Sequence, residues 1–185
     1  KGIYPKLIQS NTFLQLDMNI IRGRSVYHLA TIDKTKSYLY KVIEHYTNVW
    51  DRSLNAPCHG DLTLSNILFN RGNPWIIDWE HFNEDGEYWG FDLAYLILSS
   101  ISLPFLNNQR VKDIHIEDFK SLWRELIVLG INSEIIKKPF KYFNNIFQNK
   151  KIWKEIVNDS PKKLFTINIK KEFSNYIDEN ITSKI

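Results

Sequence analysis

The sequence predicts an α+β fold, a small strand-rich middle set on a larger helical body. Lys34–Asp51 repeats apolar residues at three- and four-residue steps. Between Asn66 and Ile77, two short apolar runs flank Asn70-Arg71-Gly72-Asn73, a sequence suited to tight reversal. From Gly90 onward the pattern is again helical.

The elements follow in chain order. Lys6–Gln9 is a short apolar segment after Pro5. Thr12–Ile21 alternates in part through Phe13, Leu14, Leu16, Met18 and Ile20, the pattern of a strand. Arg22-Gly23-Arg24-Ser25 breaks it, so the two segments read as neighbouring strands followed by a turn. The helix Lys34–Asp51 carries Leu39, Val42, Ile43, Tyr46, Val49 and Trp50 on one face, with Asp33 as its expected N-cap. Rings at that spacing are core residues. Asn55-Ala56-Pro57 opens a loop holding His59 and Asp61. Asn66–Phe69 is a strand and Trp75–Ile77 its returning partner, while Asn83–Glu87 reads as an acidic loop. Gly90–Ser102 is an apolar helix entered through Phe91-Asp92-Leu93 and expected to stop near Pro104. Ile116–Leu129 places Phe119, Leu122, Trp123, Leu126 and Ile127 on one face and ends at Gly130. Amphipathic pieces follow at Phe140–Phe147 and Ile152–Val157. Pro161 then opens a last helix toward Ile181, at a position where its missing N–H costs nothing.

A chain of 185 residues suits one domain or two small ones, and its hydrophobic share of 43% is ordinary for a packed core. A net charge of +3, spread and not striped, argues against nucleic acid as a partner. One cysteine, Cys58, permits no internal disulfide and fits a reducing compartment, so the expected location is cytoplasmic. No apolar run approaches the roughly 20 residues that span a bilayer, which argues against a membrane. The opening Lys1-Gly2-Ile3-Tyr4-Pro5 lacks the layout of a signal peptide.

Chemistry concentrates in Cys58–Trp89. His59-Gly60-Asp61-Leu62-Thr63-Leu64-Ser65-Asn66 has the pattern H-x-D-x-x-x-x-N, and Trp75-Ile76-Ile77 delivers Asp78 at the end of an apolar run. Two carboxylates and an amide at this spacing suit phosphoryl transfer with magnesium. One carboxylate orients the attacking hydroxyl. The amide and the other carboxylate hold the metal on the nucleotide phosphates. A short hairpin between Asn66 and Asp78 brings its ends together, so Asp61, Asn66 and Asp78 are expected to converge. Asp78, following a buried-looking run, is expected to be partly desolvated and to need a partner such as a divalent cation.

These residues, with Ile77-Asp78-Trp79-Glu80 and Gly90-Phe91-Asp92-Leu93-Ala94, resemble the catalytic and metal-binding segments of the aminoglycoside phosphotransferase and choline kinase group. The match covers roughly residues 57–98, with weaker similarity at residues 4–18. The resemblance implies a protein-kinase-like fold and transfer of the γ-phosphate of ATP, or another nucleoside triphosphate, to a hydroxyl of a small molecule. Residues 1–25 would be a remnant of the N-terminal lobe and hinge, and residues 26–185 the helical C-terminal lobe. Asp61 would be the catalytic aspartate and His59 a brace for its loop. Asn66 and Asp78 would bind Mg²⁺ and through it the nucleotide. Asp92 would hold the loop by hydrogen bonds. Glu80, with Trp89 and Trp123, would line the acceptor site, although taken singly Glu80 reads more readily as a surface carboxylate and each ring as core. Glu84, Asp85 and Glu87 beside Tyr88, Trp89, Trp123, Tyr142 and Trp153 tilt the acceptor toward a cationic or amino-bearing alcohol such as choline, ethanolamine or an aminoglycoside, with a neutral sugar the alternative.

The glycine-rich loop and strand lysine of such kinases have no counterpart in the sequence. Most of the N-terminal lobe is therefore expected to lie outside this chain, and the 185 residues alone to be weakly active or inactive. The alternative is a kinase-like module that binds a small molecule or protein without catalysis.

Overall fold

A computed structural model describes residues 6–9, 14–17, 23–25, 32–50, 52–79, 81–106, 113–149 and 178–179. Among these the fold is mixed α+β, with five helices and small antiparallel sheets. None of the described helices is long and apolar enough to cross a membrane.

The first strands are β1 (Lys6–Gln9) and β2 (Leu14–Asp17), paired antiparallel with Lys6 opposite Asp17. The strand expected over Thr12–Ile21 is described only at its centre. β3 (Arg24–Ser25) pairs with Phe69 and Leu68 of β5 (Ile67–Asn70), which pairs in turn with β6 (Asn73–Ile76). The hairpin is therefore present, its turn shortened to Arg71-Gly72, and Arg24–Ser25 is a strand and not the expected turn.

α1 (Ile32–Val49) starts two residues before the expected position, so Asp33 lies in its first turn and not at its cap. Leu39, Val42, Ile43 and Tyr46 are buried as their spacing predicts. β4 (Ala56–Cys58) and β7 (Asn83–Glu87) form a third sheet, with Ala56 opposite Glu87. Asn83–Glu87 is thus a strand and not an acidic loop. Its sequence has poor strand propensity, and what holds it is pairing with a segment more than twenty residues earlier.

α2 (Phe91–Leu106) runs on past Pro104. A proline so near the C-terminal end removes one backbone hydrogen bond without ending the helix. Phe91 and every residue from Leu93 to Leu98 are buried, so this helix is the centre of the core. α3 (Asp113–Val128) ends as Gly130 signals. The Gly130 N–H donates to the Ile127 carbonyl and the Ile131 N–H to the Leu126 carbonyl, closing the last turn as a Schellman motif. α4 (Ser133–Lys137), not expected from the sequence, is capped by Asn132, whose Oδ1 accepts the Glu134 N–H at 2.8 Å. α5 (Pro139–Asn149) extends the piece expected at Phe140–Phe147. The helices expected over Ile152–Val157 and from Pro161 to Ile181 lie outside the described residues, apart from Asp178 and Glu179.

Candidate active site

The site starts from the first turn of α2. Asp92 is completely buried there, a costly place for a carboxylate unless donors surround it. Three do. Oδ2 accepts the His59 N–H at 2.8 Å and the Tyr46 O–H at 3.4 Å, and Oδ1 accepts the Gly60 N–H at 3.0 Å. Burial pushes the Asp92 carboxyl up, while the neighbouring His59 and these hydrogen bonds pull it back. Gly60 has φ of 86°, a left-handed conformation that glycine adopts without a Cβ penalty. The loop therefore turns sharply where Asp92 grips it, as expected for a residue that positions the loop.

His59 locks the far side of the turn and is wholly buried. Its Nε2 lies 2.8 Å from the Ile77 carbonyl, which only accepts, and its Nδ1 takes the Asp61 N–H at 3.3 Å. The ring proton accordingly sits on Nε2. In this arrangement His59 braces the loop against the end of β6 and has no free ring nitrogen for proton transfer.

Asp61 and Asn66 are joined by a single turn of 3₁₀ helix, Leu64–Asn66. The turn swings Asn66 back so that its Nδ2 donates to the Asp61 carbonyl at 2.8 Å and to Asp61 Oδ2 at 3.3 Å. Both partners are acceptors, so the amide nitrogen must face them and Oδ1 faces away. Asp61 Oδ1 is buried and makes no hydrogen bond of good geometry. The buried Tyr95 hydroxyl is among the groups that influence the same carboxylate electrostatically. Burial is the main influence raising the Asp61 carboxyl above its ordinary value; His81, His59 and Tyr95 oppose it, and Asp78 adds to it.

The Ile77 N–H donates to the Asn66 carbonyl at 3.0 Å, which ties Asp78 one residue away from Asn66. Asp78 departs from expectation in its surroundings. It is exposed, not partly desolvated. β6 ends at Ile76, and Asp78 takes a left-handed φ of 64°, turning the chain out of the sheet. Aspartate tolerates that region better than most residues, at a cost of about 1 kcal/mol. Trp79 then folds back. Its Nε1 donates to the Ile76 carbonyl at 3.0 Å, and its ring lies parallel to Trp50 with centroids 5.7 Å apart. Trp50 stacks in turn on Tyr46 at 4.7 Å, so a column of three rings backs the loop.

The residues expected at an acceptor site do not gather. Trp123 is fully enclosed, stacked on Phe119, with Nε1 bonded to the Ile136 carbonyl at 3.1 Å. Trp89 is buried and gives its Nε1–H to the Trp50 carbonyl at 3.2 Å, while the Arg52 guanidinium caps its ring at 4.8 Å. Both are core residues, because each ring is packed and its polar atom already bonded. Glu87 is buried and interacts with the Tyr142 hydroxyl, so it does not offer a charge to solvent. Glu84, Phe82 and Tyr88 are exposed. Glu80, the Asp85 side chain and Trp153 lie outside the described residues. Two neighbours of Asp61 went unnoticed in the sequence, His81 and Tyr95. The only hint of the second was a tyrosine one turn after Asp92 in an otherwise apolar helix.

Among the described residues no three His, Cys, Asp or Glu side chains cluster in a geometry able to hold a metal ion. The oxygens on offer are the exposed Asp78 carboxylate and the Oδ1 of the buried Asn66, turned from Asp61, hard ligands of the kind that hold Mg²⁺ together with water and substrate phosphates. That donor set fits magnesium on a nucleotide better than a metal caged by protein alone. Comparisons with protein-family models, with curated proteins and with solved structures each found no match.

Proposed function

We propose that this chain is the helical lobe of a protein-kinase-like phosphotransferase that moves the γ-phosphate of ATP to a hydroxyl of a small molecule. The observation that carries the reading is the Asn66 amide bonded to both the main chain and the carboxylate of Asp61, with the Asn66 carbonyl tied to Ile77 beside Asp78. These hydrogen bonds hold Asp61, Asn66 and the main chain next to Asp78 in one small region, and those three residue types are the ones phosphoryl transfer requires. Asp61 orients the acceptor hydroxyl and draws on its proton as the oxygen attacks. Its raised carboxyl favours that proton transfer, since burial makes the anion more basic. Asp78 and Asn66 Oδ1 would hold Mg²⁺, which when bound neutralises charge on the transferring phosphates. Asp92 and His59 fix the loop so that little reorganisation accompanies the reaction.

The test is transfer of labelled γ-phosphate from Mg²⁺–ATP by the intact protein to choline, ethanolamine, an aminoglycoside and a neutral sugar. Asp61→Ala is expected to lower turnover on the preferred acceptor by about 10²–10⁴-fold with the melting temperature nearly unchanged. Undiminished turnover in that variant rejects the assignment. Absence of transfer to any acceptor, with no calorimetric binding of Mg²⁺–ATP, would favour a non-catalytic binding module.

A further inference from the structure

β6 lies at one edge of its sheet and ends at Ile76, two residues before Asp78. Where a ladder stops, the main-chain groups at its end need other partners. Here two side chains supply them. The Trp79 Nε1–H donates to the Ile76 carbonyl at 3.0 Å, and the His59 Nε2–H donates to the Ile77 carbonyl at 2.8 Å. The Ile77 N–H goes to the Asn66 carbonyl at 3.0 Å. Two ring N–H groups thus close two successive carbonyls immediately ahead of Asp78.

The Trp79 bond differs from the other two because it spans Asp78 itself. An extended chain advances about 3.3 Å per residue, so three residues of strand would carry Trp79 about 10 Å from Ile76. The indole reaches back because the chain reverses at Asp78, whose φ of 64° is left-handed. That region is unfavourable for a residue with a Cβ, and it persists where the surroundings enforce it. Asp78 is exposed, so packing of its own side chain does not enforce it. Trp79 is half-buried and held on several sides. Its ring lies parallel to Trp50 at 5.7 Å, meets His59 at 4.8 Å and Phe82 at 5.8 Å, and its carbonyl accepts the Phe82 N–H at 3.1 Å. A ring fixed in this way fixes its N–H, and through that bond the turn between Ile76 and Trp79.

We propose that Trp79 is a positioning residue for Asp78, its indole N–H holding the left-handed turn that carries the carboxylate out of the sheet. The same ring touches His59, which braces the Asp61 loop, so one side chain borders both halves of the site. The consequence for Mg²⁺ rests on the phosphotransferase reading; the hold on the turn does not. Trp79→Phe keeps a ring in the column and removes the N–H. Trp50→Phe thins the same column and leaves the Trp79 N–H and the Ile76 carbonyl in place. In the ¹⁵N-labelled protein, the indole resonance lost in Trp79→Phe is that of Trp79, and its exchange with solvent in wild type is expected to be at least about tenfold slower than that of a free indole. The one-bond Cα–Hα coupling of Asp78, which is lower at positive φ, reads the turn without any metal. It is expected to rise in Trp79→Phe and to keep its wild-type value in Trp50→Phe. Mn²⁺ in the presence of ATP, followed by water-proton relaxation, is expected to bind about tenfold more weakly to Trp79→Phe and within about twofold of wild type to Trp50→Phe. An unprotected Trp79 indole, an unchanged Asp78 coupling in Trp79→Phe, or equal Mn²⁺ affinities in the two variants overturns the proposal. If the wild-type protein with ATP binds no Mn²⁺, the phosphotransferase reading fails, and the indole exchange and the Asp78 coupling alone decide whether Trp79 holds the turn.

Discussion

At the scale of single residues, Asp92 is the position on which the loop depends most. It satisfies two backbone N–H groups that no regular structure would otherwise pair, and a third donor in Tyr46. Each unsatisfied buried donor costs about 1–3 kcal/mol. Asp92→Ala is therefore expected to destabilise the fold by roughly 3 kcal/mol, measured by urea denaturation, and to abolish activity by releasing the loop. A change below 0.5 kcal/mol would show that the loop holds its shape without the carboxylate. The motif around Asp61 was legible in the sequence because H-x-D-x-x-x-x-N keeps its parts within eight residues, where a single turn of helix can close them. The exposure of Asp78 was not legible. An apolar run predicts burial for the residues within it, and says nothing of a left-handed residue that turns the chain out of the sheet just past its end.

At the scale of elements, the pairing of β4 with β7 shows how a sheet delivers the loop. β4 ends at Cys58, immediately before His59, so the register of this sheet sets where the loop begins. Gly86 makes the pairing possible. A Cβ there would collide with the Ala56 carbonyl oxygen and come within 2.9 Å of the Cys58 nitrogen, both of them backbone atoms that side-chain rotation cannot move. Gly86→Ala is expected to cost about 1–3 kcal/mol and to perturb the His59 ring environment, seen as a shift of its ring proton resonances. Unchanged stability and unchanged His59 resonances would show that the two strands separate freely. The helices were easier to foresee than this sheet. α1 and α3 declare themselves by apolar periodicity within their own residues, whereas Asn83-Glu84-Asp85-Gly86-Glu87 has the composition of a loop and becomes a strand only through a partner distant in the sequence.

At the scale of the whole molecule, the chain closes on itself through Asp178. Its carboxylate accepts the Phe140 N–H at 3.1 Å and the Lys141 N–H at 3.2 Å, capping α5 from 37 and 38 residues away. Pro139 opens that helix and has no N–H to offer, so the cap takes the next two. Burial nevertheless pushes the Asp178 carboxyl up to about 6, outweighing the two N–H groups and Lys138, which favour the anion. A folded value above the unfolded one, near 3.9, means that the folded state holds the proton more tightly. The stability this group adds is complete below about pH 4 and is lost as the pH rises through about 6. Asp178→Asn is expected to flatten the fall in stability between pH 4 and pH 6, measured by denaturation across that range. An identical slope in wild type and variant would show that this carboxyl does not titrate there.

The sequence by itself determined the mixed class of the fold, the helices α1 and α3, the hairpin of β5 and β6, and the identity of the residues around Asp61. All of these are set by patterns no longer than a helix or a hairpin, where the chemistry of neighbours along the chain is decisive. Only the tertiary structure decided that Trp89 and Trp123 are core, that Asn83–Glu87 is a strand and that Asp78 faces solvent. Each of these depends on which distant segment comes to lie against the residue, and burial and pairing between remote parts of a chain are properties of packing, which residue order alone leaves open.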